Sequence, residues 1–423
     1  MVDIKTYMSG LSIEITRKCN MNCIFCSRGD SQNLTISKSI IDKTLDEMKG
    51  VYINSLRLSG GEPLLEPSLI TYLFEKIIQK RIYINDVIIF TNGINTNLEV
   101  CSCIVTFIDY LIQIESEIKD IIRWSNKVIG KTYHGISNKK ISIIVSDVNR
   151  EDYIIQQNKT IDFFKQHITN EKFAIIKQSD TFNDINCLLL DGNAKKNCHK
   201  LLGKSVDYKN IRMIDNNYFF ISNYRDINCP SFMREIEFIL KTLSVSANGN
   251  VFAGCMSSYD SVDSAPMFNI TDCSCDFLQR VKDSCWQYPI SEDVAKLRNK
   301  YLAIKFCQEN GIKVTYSDDV KKKQHYLNKI EFAELNILYS ISQRHKKIAT
   351  IIHQDLPSRD FVIIDSLSIL VLAKELIKME IPKEHIQSYL KMCSSFNDDF
   401  VDSISTQQCD KMIKRIKKLY YIH

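Results

Sequence analysis

At 423 residues the chain is too long for one small module and has room for two or three domains of about 100 to 200 residues each. Hydrophobic residues at 44% and charged residues at 25% exclude a disordered chain, and only 13 Gly and 7 Pro exclude long flexible linkers. A net charge of +5 over this length is mild and selects no partner by itself.

The opening stretch "MVDIKTYMSGLSIEI" has neither the basic start nor the apolar run of a signal peptide. No stretch reaches the roughly 18 uncharged apolar residues that span a bilayer, so a cytosolic protein without membrane contact is expected. The cytosol keeps thiols reduced, and a chain of this size is no disulfide-stapled scaffold. Metal or redox chemistry becomes the leading use of its 15 cysteines.

From residue 11 to about 180, short apolar runs alternate with segments of helical period. "LSIEIT", "SLRLSG", "VIIFTN", "YLIQIE", "ISIIVS" and "FAIIKQ" read as six strands. Between the first two, Ile40, Ile41, Thr44, Leu45 and Met48 fall on one helical face, and "SLITYLFEKIIQK" and "YIIQQNKTIDFFKQH" repeat that period after later strands. The βαβ pattern predicts an α/β fold with a parallel sheet, an incomplete (β/α)6 TIM-like barrel over residues 1–200 with its chemistry on the loops at the C-terminal strand ends. Residues 201–315 read as a smaller cysteine-rich α+β domain, with "LSVSANGNVFAGC" as a hairpin turning at Asn248-Gly249. Residues 316–423 read as a helical extension. Its last helix sets Lys411, Lys414, Arg415 and Lys418 opposite Met412, Ile413, Ile416 and Leu419, either a solvated face or a docking surface for an acidic peptide or RNA.

Three cysteines, Cys19, Cys23 and Cys26, stand in "EITRKCNMNCIFCSRG" directly after the first strand, with no fourth nearby. Structural zinc and all-cysteine iron–sulfur sites both want four protein ligands. Three converging thiolates therefore point to a cubane cluster with one iron open to an outside ligand.

At "CNMNCIFC", with Phe25 before the third cysteine, and "LSGGEPLL" after the second strand, the chain resembles the radical SAM superfamily. The resemblance implies a [4Fe–4S] cluster held by Cys19, Cys23 and Cys26, with S-adenosylmethionine (SAM) on the open iron and a 5'-deoxyadenosyl radical as the product of its cleavage. It implies that Gly60, Gly61 and Glu62, followed by Pro63, receive the methionine ammonium. Glycines permit close backbone approach and a carboxylate complements a cation. Looser matches extend the cofactor site to Thr91 and Asn92 in "FTNG", to Glu115 and Ser116 on the expected fourth strand, to Arg123, and to Ser146 and Asn149 in "IIVSDVN". For these, an Asn-Gly turn, a solvated arginine or helix capping are the competing readings.

Cys229, Cys255, Cys273, Cys275 and Cys285 lie within 57 positions of one another. "SANGNVFAGC…MFNITD" resembles the start of the SPASM or twitch extension, which implies one auxiliary [4Fe–4S] cluster on Cys229, Cys255, Cys285 and either Cys273 or Cys275, with Cys307 able to replace a member. The run C-x2-C-x5-C-x3-C is absent, so two auxiliary clusters are not expected, and unligated or zinc-bound cysteines are the other reading. Cys101, Cys103, Cys187, Cys393 and Cys409 read as small hydrophobes, and Cys198 is set apart by neighbouring His199.

The leading expectation is an enzyme that abstracts a hydrogen atom from a ribosomally made peptide or protein, leading to crosslinking, epimerisation or oxidation. It would be supplied with electrons by a reduced flavodoxin- or ferredoxin-type donor and would need no nucleic acid. The barrel starts almost at residue 1, which leaves peptide recognition to the helical tail or another protein. The alternatives are a radical SAM dehydrogenase acting on a small molecule such as an aminosugar or nucleoside, and a non-enzymatic iron–sulfur or zinc protein.

Overall fold

A computed structural model describes residues 4–128, 138–146, 151–178, 188–207, 210–213, 221–222, 238–253, 258–264, 266–272, 276–285, 303–304 and 306–315. The chain divides into two compact units. One comprises Met1–Asn186, Asp191–Lys196 and Tyr224–Arg280, the other Cys187–Leu190, Asn197–Asn223 and Val281–His423.

In the first unit the elements follow as β1 (Thr6–Thr16), α1 (Lys38–Glu47), β2 (Val51–Gly60), α2 (Pro67–Lys80), β3 (Tyr83–Thr91), α3 (Leu98–Val128), β4 (Ile141–Val145), α4 (Glu151–His167), β5 (Phe173–Lys177), α5 (Gly192–Lys196), β6 (Phe238–Val245), β7 (Asn250–Ala253), α6 (Tyr259–Ser264) and β8 (Phe268–Asn269). Along the sheet the strand order is β8-β7-β6-β1-β2-β3-β4-β5. Pairings from β6 through β5 are parallel, and β7 and β8 add antiparallel at the β6 edge. The α/β class and the parallel sheet agree with the expectation from sequence.

Two strand assignments are corrected. "YLIQIE", expected as the fourth strand, lies inside the 31-residue helix α3. Over that length Val100, Ile104, Phe107, Leu111, Ile114 and Ile118 are buried at helical spacing, and this long period overrides the short alternation around Leu111. "ISIIVS" and "FAIIKQ" therefore become the fourth and fifth strands. The sixth parallel strand comes from 238–245 and pairs on the far side of β1, with Leu11 beside Leu243 and Ile13 beside Val245. The expected turn at Asn248-Gly249 is found, with Gly249 at φ 83.

One face of the sheet is apolar: Leu11, Ile13, Ile15, Leu56 and Leu58 are at most 1% exposed. The stacked rings of Phe74 from α2 and Phe107 from α3, 4.2 Å apart, belong to the same core. On the opposite face the register sets Ser12 beside Arg57 and Ser244, and Glu14 beside Ser59. Ser12, Glu14 and Ser244 are nevertheless buried, so that face needs internal polar partners.

The second unit is described in part. Leu188–Leu189 pairs in parallel with Ile211–Arg212, and Ser205–Asp207 with Lys313–Thr315, around a core that includes Leu190, Cys198, Ile304 and Cys307. Residues 316–423 lie outside the described residues. Among the described residues no helix is long and apolar enough to cross a membrane.

Candidate active site

The loop that carries Cys19, Cys23 and Cys26 leaves the C-terminal end of β1 and is pinched at its base. Arg17 N donates to Leu34 O at 2.7 Å, Gln32 N to Arg17 O at 3.0 Å, and Thr16 bridges Thr35. Within the loop Cys19 N donates to Ser31 Oγ at 2.9 Å, and Cys26 N donates to Cys23 O at 3.1 Å, closing a tight turn. The short segment α5 holds the loop from outside: Asn193 N donates to Cys26 O at 2.8 Å. None of the three cysteines forms a disulfide, and all three are partly exposed. Phe25, at 38% exposure, sits on the rim of the same loop.

The Gly60-Gly61-Glu62 turn packs directly against this loop. Gly61 N donates to Thr16 O at 2.7 Å and Glu62 N to Lys18 O at 2.8 Å. A Cβ on Gly60, whose φ is +141°, would stand 2.1 Å from Thr16 O, and one on Gly61 would stand 2.3 Å from Lys18 O. Glycine is thus required twice in succession by backbone approach and, at Gly60, by the left-handed φ as well. Pro63 opens a 3-10 turn, Pro63–Leu65, that Glu62 caps.

Glu62 is fully buried. Its Oε1 accepts from Thr91 Oγ1 at 2.8 Å and Leu64 N at 2.9 Å, and its Oε2 accepts from Asn92 N at 2.6 Å. Burial pushes this carboxyl up to about 7, against those three donors. The carboxylate therefore ties the end of β2 to the end of β3. Asn92 continues the chain of contacts: its Nδ2 donates to Asn20 Oδ1 at 2.8 Å and lies 3.9 Å from Cys19 Sγ, and its Oδ1 accepts from Ile94 N at 3.0 Å. Burial raises the Cys19 thiol above its ordinary value.

Ser146 follows β4 and donates its N–H to Thr91 O at 2.8 Å. Gln157 of α4, 1% exposed, donates from Nε2 to both Asn92 O and Ser146 O at 2.8 Å. It joins the ends of β3 and β4, a role the sequence did not disclose because a lone Gln at an apolar helical position carries no motif.

Three predicted residues are not brought to this end of the sheet. Glu115 on α3 pairs with Lys140 at 3.2 Å. Lys140 precedes β4, whereas Thr91 and Ser146 mark the opposite, C-terminal ends. Ser116 Oγ donates to Gln113 O at 3.3 Å, and Arg123, 78% exposed, pairs with Asp120 at 3.2 Å. Placing Glu115 and Ser116 on a fourth strand is the error that carried those two into the predicted site, and Arg123 has the solvated setting of its competing reading. Asn149 lies outside the described residues, as do Cys229, Cys255, Cys273 and Cys275. Cys285 ends the helix Phe277–Cys285, and its side chain is also outside the described part. Cys307 is buried in the apolar core of the second unit, where burial pushes its thiol up to about 11. Cys101 is likewise buried and raised to about 11, as a small hydrophobe would be.

As a test of fit, the donor chemistry suits an iron–sulfur centre: three reduced cysteines on one pinned loop, with Cys19 and Cys26 within electrostatic reach of each other. Among the described residues no three His, Cys, Asp or Glu side chains are drawn tightly enough to close a metal site. The thiols converge more closely in sequence than in side-chain position.

Residues 13–113 match the family model of the radical SAM superfamily. Over this segment the chain is similar to the radical SAM superfamily. The radical SAM segment contains the three cysteines, Gly60-Gly61-Glu62 and Thr91-Asn92. Among curated relatives, the GTP 3',8-cyclase of Clostridium acetobutylicum is 42% identical over 88 residues, covering 20% of this chain and 27% of that protein. The probable GTP 3',8-cyclase of Methanothermobacter thermautotrophicus is 35% identical over 85 residues, covering 20% and 27%. The chain thus spans about a quarter of the length of the relatives it matches. A structure of Streptococcus suis SuiB bound to the precursor peptide SuiA covers 68% of this chain and 69% of that one at 13% identity and a TM-score of 0.33, a likeness too loose to carry an argument.

Proposed function

We propose that this radical SAM enzyme holds a [4Fe–4S] cluster on Cys19, Cys23 and Cys26, binds SAM against Gly60-Gly61-Glu62, and abstracts a hydrogen atom from a ribosomally made peptide or protein. The observation that carries the site is the stitching of the Gly61-Glu62 backbone onto Thr16 and Lys18 at 2.7 and 2.8 Å, which sets a glycine edge beside the cysteine loop. When bound, cluster and SAM supply one electron to the sulfonium and so a carbon-centred radical. The chain's own residues orient: Glu62 holds Thr91 and Asn92, Asn92 holds the Cys19–Asn20 corner, and Gln157 fixes the strand ends behind them. Phe25, exposed on the loop rim, would be available to the cofactor.

The peptide reading is supported by the hairpin that the sixth parallel strand makes. β6 and β7 turn at Gly249, and Asn269 of "FNI" pairs with Asn250 and donates to Asn248 O at 3.0 Å. This return strand fits the twitch-like segment that the sequence resembles. Within this proposal the barrel runs past the expected boundary at residue 200, taking its sixth strand from 238–245, one further cluster is held by the cysteines of 201–315, and a flavodoxin- or ferredoxin-type protein delivers the electron. A small-molecule substrate is the second reading, favoured by the 42% identity to a GTP 3',8-cyclase over the radical SAM segment. Mass spectrometry after incubation with SAM, reductant and co-encoded peptides, or nucleotides, separates the two. Product formation on nucleotides with no peptide mass change overturns the peptide reading. Iron analysis of a Cys19/Cys23/Cys26→Ala variant tests the auxiliary cluster: about four irons retained support it, and none removes it.

A further inference from the structure

Two arginines bracket the cysteine triplet, Arg17 two residues before Cys19 and Arg28 two residues after Cys26. Both converge on Glu14, which is fully buried in β1. Glu14 Oε2 accepts from Arg17 Nε and from Ala247 N, each at 3.0 Å, and its Oε1 accepts from Arg28 Nη2. Arg17, 1% exposed, then forks onto Asp263 of α6 with Nη1 and Nη2 at 2.7 and 2.8 Å. The ring of Tyr259 receives both guanidinium groups, each 4.8 Å from its centroid. Burial pushes the Tyr259 hydroxyl up to about 12, and Tyr259 N donates to Arg28 O at 3.0 Å, two residues from Cys26.

We propose that Glu14, Arg17, Arg28 and Asp263 form a charge-balanced seat at the base of the cysteine loop that sets the reduction potential of the cluster and ties it to the 247–263 segment. The proposal rests on the reading that Cys19, Cys23 and Cys26 hold an iron–sulfur cluster. Glu14 and Arg17 are fully buried, with Arg28 12% and Asp263 42% exposed beside them, and a buried ion pair is costly where packing alone would serve, since its apolar replacement is often neutral or stabilising. Here two cations and two anions cancel beside a centre whose own charge becomes more negative on accepting an electron from a low-potential donor. Positive charge left over in the seat favours that reduction and negative charge opposes it. The four residues are positioning residues and touch no substrate.

The test is an EPR-monitored reductive titration of the reconstituted full chain, following the cluster signal that SAM perturbs. Asp263→Asn leaves the seat with one net positive charge and is expected to raise the potential. Arg28→Gln leaves one net negative charge and is expected to lower it. Each shift should be about tenfold in the reduction equilibrium, ~59 mV for a one-electron couple. The Arg28→Gln/Asp263→Asn double variant is neutral again and returns to the wild-type value, and Tyr259→Phe, which keeps the ring, leaves the potential in place. A merely structural clamp moves both single variants in one direction or neither. Shifts of the same sign, no shift in either, or loss of the cluster from all the charge variants overturn the proposal while the cysteine assignment stands. A wild-type chain that takes up no SAM-responsive cluster overturns the cysteine assignment and this proposal together.

Discussion

Glu62→Gln tests the placement of the buried carboxyl most sharply, because the structure fixes both the size and the sign of its pH dependence. The carboxyl is raised from 4.5 to about 7 by burial, and its three hydrogen-bond donors, Thr91 Oγ1, Leu64 N and Asn92 N, are all neutral. A folded value above the unfolded one means that this group contributes stability that is fully present below about 4.5 and is lost as pH rises through about 7. At ~1.4 kcal/mol per unit the whole effect is roughly 3 kcal/mol, of which about 2 kcal/mol falls between about pH 5.5 and about pH 8.5. Glutamine removes the titration but turns an NH2 toward Asn92 N or toward Thr91 and Leu64, leaving a donor unpaired at a cost of about 1–3 kcal/mol. Urea unfolding of both proteins without added iron, at three pH values, separates the two effects. The stability of the wild type relative to the variant should fall by roughly 2 kcal/mol across that range, whatever the constant offset. A difference that stays flat or grows with pH would refute the reasoning.

Gly61→Ala places a methyl group 2.3 Å from Lys18 O, backbone against which nothing can give way cheaply, and should cost about 1–3 kcal/mol in urea unfolding and reduce iron uptake on reconstitution. Gln157→Leu strips the donor from Asn92 O and Ser146 O, and calorimetry should show weaker SAM binding together with a stability loss of about 1–3 kcal/mol. Glu115→Gln and Arg123→Gln should leave SAM affinity unchanged and alter stability by no more than about 0.5 kcal/mol; a tenfold loss of affinity in either would reinstate them at the cofactor.

Much of the site was legible because its markers are local. Cys19, Cys23 and Cys26, the paired glycines and Thr91-Asn92 each follow a strand whose β-branched, apolar run stands out within a few residues, and β1, β2 and β3 end where those motifs begin. The region after β3 misled for a physical reason. Around Leu111, Ile112 and Ile114 the apolar residues are dense enough to imitate a strand, and only the spacing over 31 residues shows the helix. Glu115 and Ser116 were drawn into the expected site by that one error. The edge partner of β1 was hidden because "FILKTLSV" lies more than 200 positions away, and parallel pairing leaves no turn signal in between. Least legible were Glu14, Arg17, Arg28 and Asp263: as single charged residues they read as surface, and only the fold reveals that Glu14 and Arg17 are buried and paired.

The central claim is that the three-cysteine loop and the glycine edge together cleave SAM. Its most direct test is 5'-deoxyadenosine release by anaerobically reconstituted protein given SAM and dithionite, measured beside the Cys19/Cys23/Cys26→Ala variant. The account predicts release from the wild type and none from the variant; equal release from both, or none from an iron-loaded wild type, would contradict it.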